Sequence, residues 1–187
     1  MDKRVLLVVA DGCEDIETVA PIDVLTRAGV KLTVASLREG PVAAAYGTRL
    51  LPDTTVDKVD LLYDGIVFPG GRRNAELLAA NPKVIELARR HNTEGKLVAA
   101  ICAAPSHVLG EAAGILKGRK ATGDPAFNDR LAASGAHVTD ELVTVDGHVI
   151  TGMGPGAALP FALMLVEYLV GRQITDSFAS KWHFKRP

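Results

Sequence analysis

The chain alternates between short apolar runs rich in β-branched residues and longer segments in which apolar positions recur at helical spacing. The run at residues 5–9 predicts a first strand, and the periodic segment at 14–28 predicts a helix that a glycine terminates. Residues 31–35 predict a second strand. Gly65–Phe68 and Leu97–Ile101 are uncharged and almost wholly apolar, which is typical of strands buried on both faces.

The remaining elements are less regular, but they complete the same alternating pattern. Pro105 does not argue against a helix after the last of these strands, because proline is tolerated in a first helical turn. The pattern predicts one α/β domain over residues 1–187, with a mostly parallel sheet covered by helices on both faces and ligands at the carboxyl ends of the strands. The other expected elements are short strands near 42–45 and 48–51, helices at 74–80, 82–91, 103–113 and 155–170, and a hairpin at 142–150.

Composition and charge narrow the classes of function. Hydrophobic residues make up 48% of the chain, and the formal net charge of −1 argues against a nucleic-acid or membrane-surface partner. No apolar run approaches the ~20 residues that span a bilayer, and the N-terminal run is too short for a signal peptide. The two cysteines, Cys13 and Cys102, indicate a reducing compartment, by default the cytoplasm. We expect a small molecule or a protein as partner.

Cys102 is the strongest candidate for chemistry. It directly follows the apolar run Leu97–Ile101 and has the small residues Ala103 and Ala104 beside it, as a nucleophile at a sharp strand-to-helix turn requires. The positive end of the helix dipole favours a thiolate, so we expect a lowered pKa for this thiol. A cysteine buried only for packing is the alternative, and the position at the end of a strand disfavours it.

Four acids lie within seven residues after the first strand, namely Asp11, Glu14, Asp15 and Glu17. Acids in a first helical turn usually complement the helix dipole in solvent. Glu17 lies one turn into the helix beside Ile16, where a partly buried carboxyl could face the edge of the sheet. Burial would raise its pKa, so that it could hydrogen-bond a thiolate in its protonated form or shuttle a proton.

Glycines follow two of the predicted strands. Gly70 and Gly71 permit a turn with exposed amides, which could form half of an oxyanion hole, with the amide of Ala103 as the other half. A plain turn is the alternative interpretation. The glycines at 152, 154 and 156 lack the spacing of a phosphate-binding loop, so they predict a turn that enters a helix.

Several of these segments together resemble the ThiJ/PfpI superfamily, and especially its DJ-one-like branch, which contains a parkinsonism-associated protein deglycase. The similarity covers nearly the whole chain. The segments that carry it are ADGCEDIETV at 10–19, PIDV at 21–24, RAG at 27–29, PGG at 69–71, AAICAAP at 99–105 and GPG at 154–156.

The resemblance implies a flavodoxin-like fold, a homodimer and no cofactor. It implies that Cys102 is an oxidisable nucleophile, that Glu17 is the carboxylic acid bonded to it, and that Gly71 and Ala103 supply backbone donors beside the sulfur. The activities it implies are a glyoxalase that converts methylglyoxal to lactate, deglycation of early glycation adducts, and redox sensing or chaperone-like protection. The expected small partner is therefore a reactive carbonyl or a peroxide.

The sequence departs from this branch at three places. Asp124 stands where related deglycases have a histidine, so proton transfer falls to an aspartate, which titrates lower than a histidine unless it is desolvated, or to Glu17. Met153 stands where the branch has an arginine. Arg72 and Arg73 replace a less charged segment, and they are either solvated or contacts for an anionic ligand.

Other catalytic arrangements are disfavoured by spacing. The proteolytic branch of the superfamily places a histidine directly after the cysteine, whereas this chain has Ala103 there, and His107 lies at about 140° of helical rotation from the sulfur. The histidines have no spacing typical of a metal site.

Cys13 is expected to be a packing residue, or a resolving thiol for Cys102. The aromatic segment at 177–184 could cover the core or an interface.

Two hypotheses from different classes remain open. In the first, Cys102 attacks an aldehyde, Glu17 moves the proton, and water releases a hydroxy acid. In the second, peroxide oxidises the same thiolate to sulfenic and then sulfinic acid, and the protein acts as a stress sensor. Both hypotheses predict a low pKa for Cys102.

Overall fold

A computed structural model describes residues 2–183, and Phe184 of the aromatic segment lies outside them. The apolar runs of the sequence form strands and the periodic segments form helices. The strands are β1 (Arg4–Val9), β2 (Lys31–Ser36), β3 (Val42–Ala43), β4 (Arg49–Leu50), β5 (Thr54–Thr55), β6 (Gly65–Phe68), β7 (Leu97–Ile101), β8 (Lys120–Ala121), β9 (His137–Val138), β10 (Val143–Asp146) and β11 (Val149–Gly152). The α-helices are α1 (Asp15–Arg27), α2 (Arg72–Ala79), α3 (Pro82–Thr93), α4 (Asn128–Ala133), α5 (Ala158–Val170) and α6 (Arg172–Lys181).

A mostly parallel seven-stranded sheet forms the centre of the molecule, in the order β10-β11-β7-β6-β1-β2-β5. All neighbouring pairs are parallel except β10 and β11, which form the predicted hairpin. Strands β6 and β7 are buried at every residue because helices pack around the sheet, which explains their continuous apolar sequences. This architecture confirms the predicted flavodoxin-like α/β fold.

The sheet brings the ends of β1, β6, β7 and β11 together. These strands run in parallel, so their carboxyl ends lie at one edge of the sheet. The segments that leave this edge contain the acids after β1, the glycine turn after β6 and Cys102 after β7. Ligand sites of open α/β sheets lie at such an edge, so the fold assembles the predicted site from segments distant in sequence.

Several parts of the chain differ from the sequence-based prediction, and helices α4 and α6 are among the elements that were not predicted. The segment after Cys102 forms a π-helix, Pro105–Ala112, instead of an α-helix at 103–113, so its residues are not spaced at 100°. The predicted helix at 155–170 begins with a 3₁₀ turn, Pro155–Ala157, before α5. The two-residue strands β5, β8 and β9 were not predicted, because so short a pairing has no periodicity to detect.

The described part of the aromatic C-terminal segment, residues 177–183, lies in α6 and directly after it, and two of its side chains pack on the core. The rings of Phe178 and Trp182 are stacked with their centroids 5.0 Å apart, and both side chains pack against the buried cluster. Within residues 2–183, no helix has the length and hydropathy that crossing a bilayer requires.

Candidate active site

Cys102 occupies a strained turn at the carboxyl end of β7. Its backbone φ is 64°, in the left-handed region that non-glycine residues seldom adopt. The turn is fixed by its own backbone, because the Cys102 amide donates to the Gly152 carbonyl at 2.9 Å and the Cys102 carbonyl accepts from the Asp124 amide at 2.9 Å. The residue is 8% exposed. The predicted strand-to-helix turn is therefore present, and it holds the sulfur at the edge of the sheet.

Three of the four acids after β1 stabilise the local backbone. Asp11 forms an ion pair with Arg38. Asp15 accepts backbone amides from the loop between β3 and β4. Glu14 caps α1 by accepting the Glu17 amide at 2.8 Å. These contacts leave Glu17 as the acid of this segment that faces the cysteine.

Glu17 is fully buried between α1 and the turn after β6. Its Oε2 accepts the Gly70 amide at 2.9 Å, whereas its Oε1 has no hydrogen-bond partner among the described residues. Burial raises the pKa of Glu17 to about 7, and the charges of Glu14 and Asp124 act in the same direction, whereas the neighbouring Cys102 thiol and the Gly70 amide lower it. The carboxyl therefore exchanges a proton near neutral pH.

The thiol of Cys102 does not have the lowered pKa that its position before a helix predicts. Burial, followed by the negative charge of Glu17, raises the pKa of Cys102 to about 12, and Asp124 adds to the shift. The hydrogen bond from the Gly71 amide opposes it. The direction of this shift is opposite to the predicted low pKa, because desolvation and the charges of the Glu17 and Asp124 carboxylates disfavour the thiolate. Protonation of Glu17 removes one of these charges, so the acid controls the formation of the thiolate.

Asp124 lies on the other side of the sulfur, at the N-terminus of the 3₁₀ turn Pro125–Phe127. Its Oδ1 accepts the Ala126 amide at 2.9 Å, which caps the turn. Its Oδ2 lies 3.9 Å from Sγ of Cys102, and the thiol donates to it over this long distance. The residue that replaces the histidine of the related deglycases therefore contacts the nucleophile.

Gly71 and Ala103, the two residues predicted to supply backbone donors, both lie beside Cys102. Gly71 has a φ of 85°, and a Cβ there would collide with the Gly12 carbonyl, so only glycine fits. Its amide lies beside the sulfur, where it lowers the pKa of the thiol. Ala103 is buried next to Cys102 and lines the same cleft, and its role as a second donor stays a prediction.

The cleft above Cys102 has a volume of about 850 Å³, enough for a small molecule. Arg72 and Arg73 are exposed and line it, and Arg72 forms an ion pair with Glu76 at 3.2 Å.

Cys13 is fully buried, and burial raises its pKa. Among residues 2–183, no cluster of three or more His, Cys, Asp or Glu side chains could hold a metal ion.

Asn74 also organises the site, and the sequence analysis missed it. It is fully buried on α2, where its Nδ2 donates to the carbonyls of Pro69 and Gly70 at 2.8 and 3.1 Å. Its Oδ1 accepts the Ala10 amide at 2.6 Å. Asn74 therefore joins the end of β1 to the glycine turn. The available signal was a polar residue beside Ala75 and four residues before Leu78, on the buried face of the helix.

A cysteine on a strained strand-to-helix turn, with a buried carboxyl and a backbone donor beside the sulfur, defines an α/β protein with a cysteine nucleophile. Residues 3–168 match the model of the DJ-1/PfpI family. The chain belongs to the DJ-1/PfpI family.

Curated relatives and solved structures agree with this assignment. The chain is 38% identical to "Protein dj-1beta" of Drosophila melanogaster over 96% of each chain, and 39% identical to "Protein DJ-1 homolog A" of Arabidopsis thaliana over 95% of this chain. It spans 46% of that plant protein. The crystal structure of Drosophila melanogaster DJ-1beta superposes with a TM-score of 0.93 at 35% identity, and all of both chains is covered.

One relative carries the name of an activity. A Thermococcus kodakarensis protein named a deglycase is 34% identical to this chain over 82% of it and 91% of the relative.

Proposed function

We propose that the protein is a cofactor-independent glyoxalase or deglycase-type enzyme that acts on methylglyoxal or a related reactive carbonyl. The observation that carries the proposal is Glu17, a fully buried carboxyl with a pKa of about 7 and one unpartnered oxygen next to the Cys102 thiol. A general acid or base is most effective when its pKa lies near the working pH.

The reaction begins when Cys102 attacks the aldehyde carbon. Glu17 accepts the thiol proton of Cys102 as the C–S bond forms and the C=O π bond opens, and it then returns the proton to the carbonyl oxygen, which gives a hemithioacetal. The ionised carboxyl next removes the C1 proton and delivers it to C2, while the hydroxyl proton moves from the C1 oxygen to the C2 oxygen. These transfers convert the hemithioacetal to a thioester of the hydroxy acid. Water then cleaves the C–S bond, which releases lactate and restores the thiol. The sequence of steps is redox-neutral and needs no cofactor.

The backbone near the sulfur fits the charges that develop in these steps. The Gly71 amide is held next to Sγ by a turn that only glycine can form, and it can donate to an oxyanion on the attacked carbon. The predicted Ala103 amide would complete the oxyanion hole. Asp124 raises the pKa of the thiol, so catalysis needs the proton transfer to Glu17.

The test is the conversion of methylglyoxal to lactate by wild type, Cys102→Ser and Glu17→Gln. We expect turnover by wild type, none by Cys102→Ser, and a loss of about 10²-fold or more in Glu17→Gln. Glu14→Gln is the matched control, because its amide oxygen can still cap α1, and it should keep most of the activity. Lactate formation that survives in Cys102→Ser would contradict the proposal.

A redox sensor is the second candidate. A solved relative, titled "Toxoplasma gondii DJ-1, oxidized", superposes with a TM-score of 0.92 at 34% identity over 98% of this chain. In this function the thiolate attacks peroxide, water or hydroxide leaves, and a second peroxide converts the sulfenic acid to a sulfinate that protonated Glu17 and the Gly71 amide could hydrogen-bond. Intact-mass detection of +32 Da on Cys102 at low peroxide, without methylglyoxal turnover, would favour the sensor over the enzyme.

A further inference from the structure

His107 is a buried histidine that the proposed mechanism does not use. It is 3% exposed and lies in the π-helix that follows Cys102. Its Nε2 accepts from Nη1 of Arg130 at 2.7 Å, since a guanidinium can only donate. The proton of the neutral ring therefore lies on Nδ1, which donates to the Ala103 carbonyl at 2.9 Å. The imidazole of His107 therefore links the carbonyl of Ala103, the residue after Cys102, to Arg130 on helix α4.

The same ring also supports the turn that carries Asp124. His107 and Phe127 are in edge-to-face contact with their centroids 4.8 Å apart, and Phe127 ends the 3₁₀ turn that Asp124 caps. The Phe127 amide donates to the Asp124 carbonyl at 2.8 Å. His107 thus contacts Ala103 beside Cys102, and on the side of Asp124 it contacts Phe127 and Arg130.

We infer that His107 is a positioning residue that holds the Asp124 carboxylate against the Cys102 sulfur. The inference rests on the proposed function only in taking Cys102 as the reactive group. Without the imidazole, the Pro125–Phe127 turn loses its aromatic contact, and Arg130 loses its acceptor. The carboxylate would then move away from a sulfur that it contacts at 3.9 Å, and its charge would act more weakly on the thiol.

Burial maintains the neutral form of His107. Burial, followed by the charge of Arg130, lowers the pKa of His107, while the Ala103 carbonyl, Glu111 and Glu76 oppose the shift. A second proton would place an N–H on Nε2 opposite the N–H of Arg130. The guanidinium itself is held by a two-point ion pair to Glu111. The ring therefore keeps its acceptor across neutral pH.

The test is the pKa of Cys102, measured from the pH dependence of its alkylation by iodoacetamide with peptide-resolved mass spectrometry. Asp124→Asn keeps an oxygen for the cap and removes the charge, so it should lower the pKa by about one unit. His107→Leu should lower it in the same direction. Because both changes act through one carboxylate, His107→Leu combined with Asp124→Asn should shift the pKa no further than Asp124→Asn alone.

Three controls keep the test decisive. His107→Gln retains an acceptor for Arg130 and should shift the pKa less than His107→Leu. If His107→Leu does not fold, Arg130→Met removes the contact between the same ring and α4 from the exposed side, and it should shift the pKa in the same direction. His148→Leu, which removes a histidine bonded to Asn92, should leave the pKa unchanged.

The inference is overturned if His107→Leu, or Arg130→Met in its place, leaves the pKa of Cys102 as in wild type. Full additivity of the two shifts in the double variant would overturn it as well. The measurement needs no carbonyl substrate, so its outcome is independent of lactate formation. Failure of the proposed enzyme activity and failure of this inference are therefore separate results.

Discussion

At the scale of single residues, Glu17 differs from its three acidic neighbours through what its carboxyl contacts. Asp11, Glu14 and Asp15 bind an arginine or backbone amides near the surface or at a helix cap, whereas Glu17 is inside the protein with one oxygen unpartnered. An orphaned carboxyl oxygen in the interior destabilises the ionised form, and it is available to a proton or a reacting group.

The ionisation of Glu17 should make the stability of the protein depend on pH. Its pKa is raised from 4.5 to about 7 in the folded state, so the folded state binds the proton more tightly. This contribution to stability is fully present below pH 4.5 and is lost as the pH rises through about 7. We therefore expect Glu17→Gln to be more stable than wild type at pH 8.5, although it is less active. The measurement is the free energy of unfolding in urea at several pH values.

The matched control for that measurement is Asp23→Asn, which changes an exposed acid of the same helix whose partner is Arg27. It should show no gain in stability over wild type as the pH rises. If Glu17→Gln is less stable than wild type at pH 8.5 as well as at pH 5, then ionised Glu17 is not a source of strain, and the basis for its role as a proton carrier is removed.

At the scale of elements, the turn after β6 controls how closely Glu17 and Cys102 approach. A Cβ at Gly70 would lie 2.5 Å from the Cys102 Cβ and 2.9 Å from the Ile101 carbonyl, and it would also collide with Oε2 of Glu17. Gly70→Ala should therefore destabilise the protein by about 1–3 kcal/mol and lower the reactivity of Cys102. Urea unfolding and the rate of iodoacetamide alkylation measure the two effects.

Gly156→Ala is the control for Gly70→Ala, because no atom lies within 4 Å of a Cβ built there and its φ is not positive. It should leave both stability and reactivity close to wild type. Equal effects of the two substitutions would show that the loss of glycine flexibility, and not the separation of Glu17 from Cys102, determines the result.

The central strands could be predicted from the sequence because burial on both faces leaves a continuous apolar run. The bounds of β6 and β7 are those predicted, and β1 and α1 agree within one residue at each end. The π-helix could not be predicted, because its wider turn depends on the contacts of Pro105–Ala112 with α2 and α4. Its bounds nevertheless fall within the predicted helix at 103–113.

The site could be predicted only where the chemistry is local. Cys102 follows its strand directly, so the sharp turn that it occupies could be predicted from the sequence. The raised pKa of its thiol was not, because it depends on carboxylates 85 and 22 residues away in the sequence, Glu17 and Asp124. The roles of Asn74 and His107 likewise arise from segments that meet only after folding.

At the scale of the whole molecule, one outer face of α1 remains apolar. Ile16 is 57% exposed and Val19 43% exposed, and they line a surface groove of about 580 Å³ with Leu159 and Trp182. The charged residues Asp15, Asp23 and Arg27 also line this groove. No apolar stripe of this kind was apparent in the sequence, because the helix is apolar on its inner face as well. An exposed apolar groove of this composition is typical of a surface that contacts another protein.

We expect this face of α1 to be the contact between two copies of the chain, in the homodimer that the family resemblance implies. Val19→Asp places a charge in the centre of the groove at an already exposed position, so it should dissociate the dimer and leave the monomer folded. Sedimentation velocity should then give a species of 19.7 kDa in place of one about twice that mass. Leu77→Asp, at a 38% exposed position on α2, should remain dimeric. If the wild-type protein sediments as a monomer, the expected dimer does not form. If the dimer survives Val19→Asp, the contact between the two copies lies on another face.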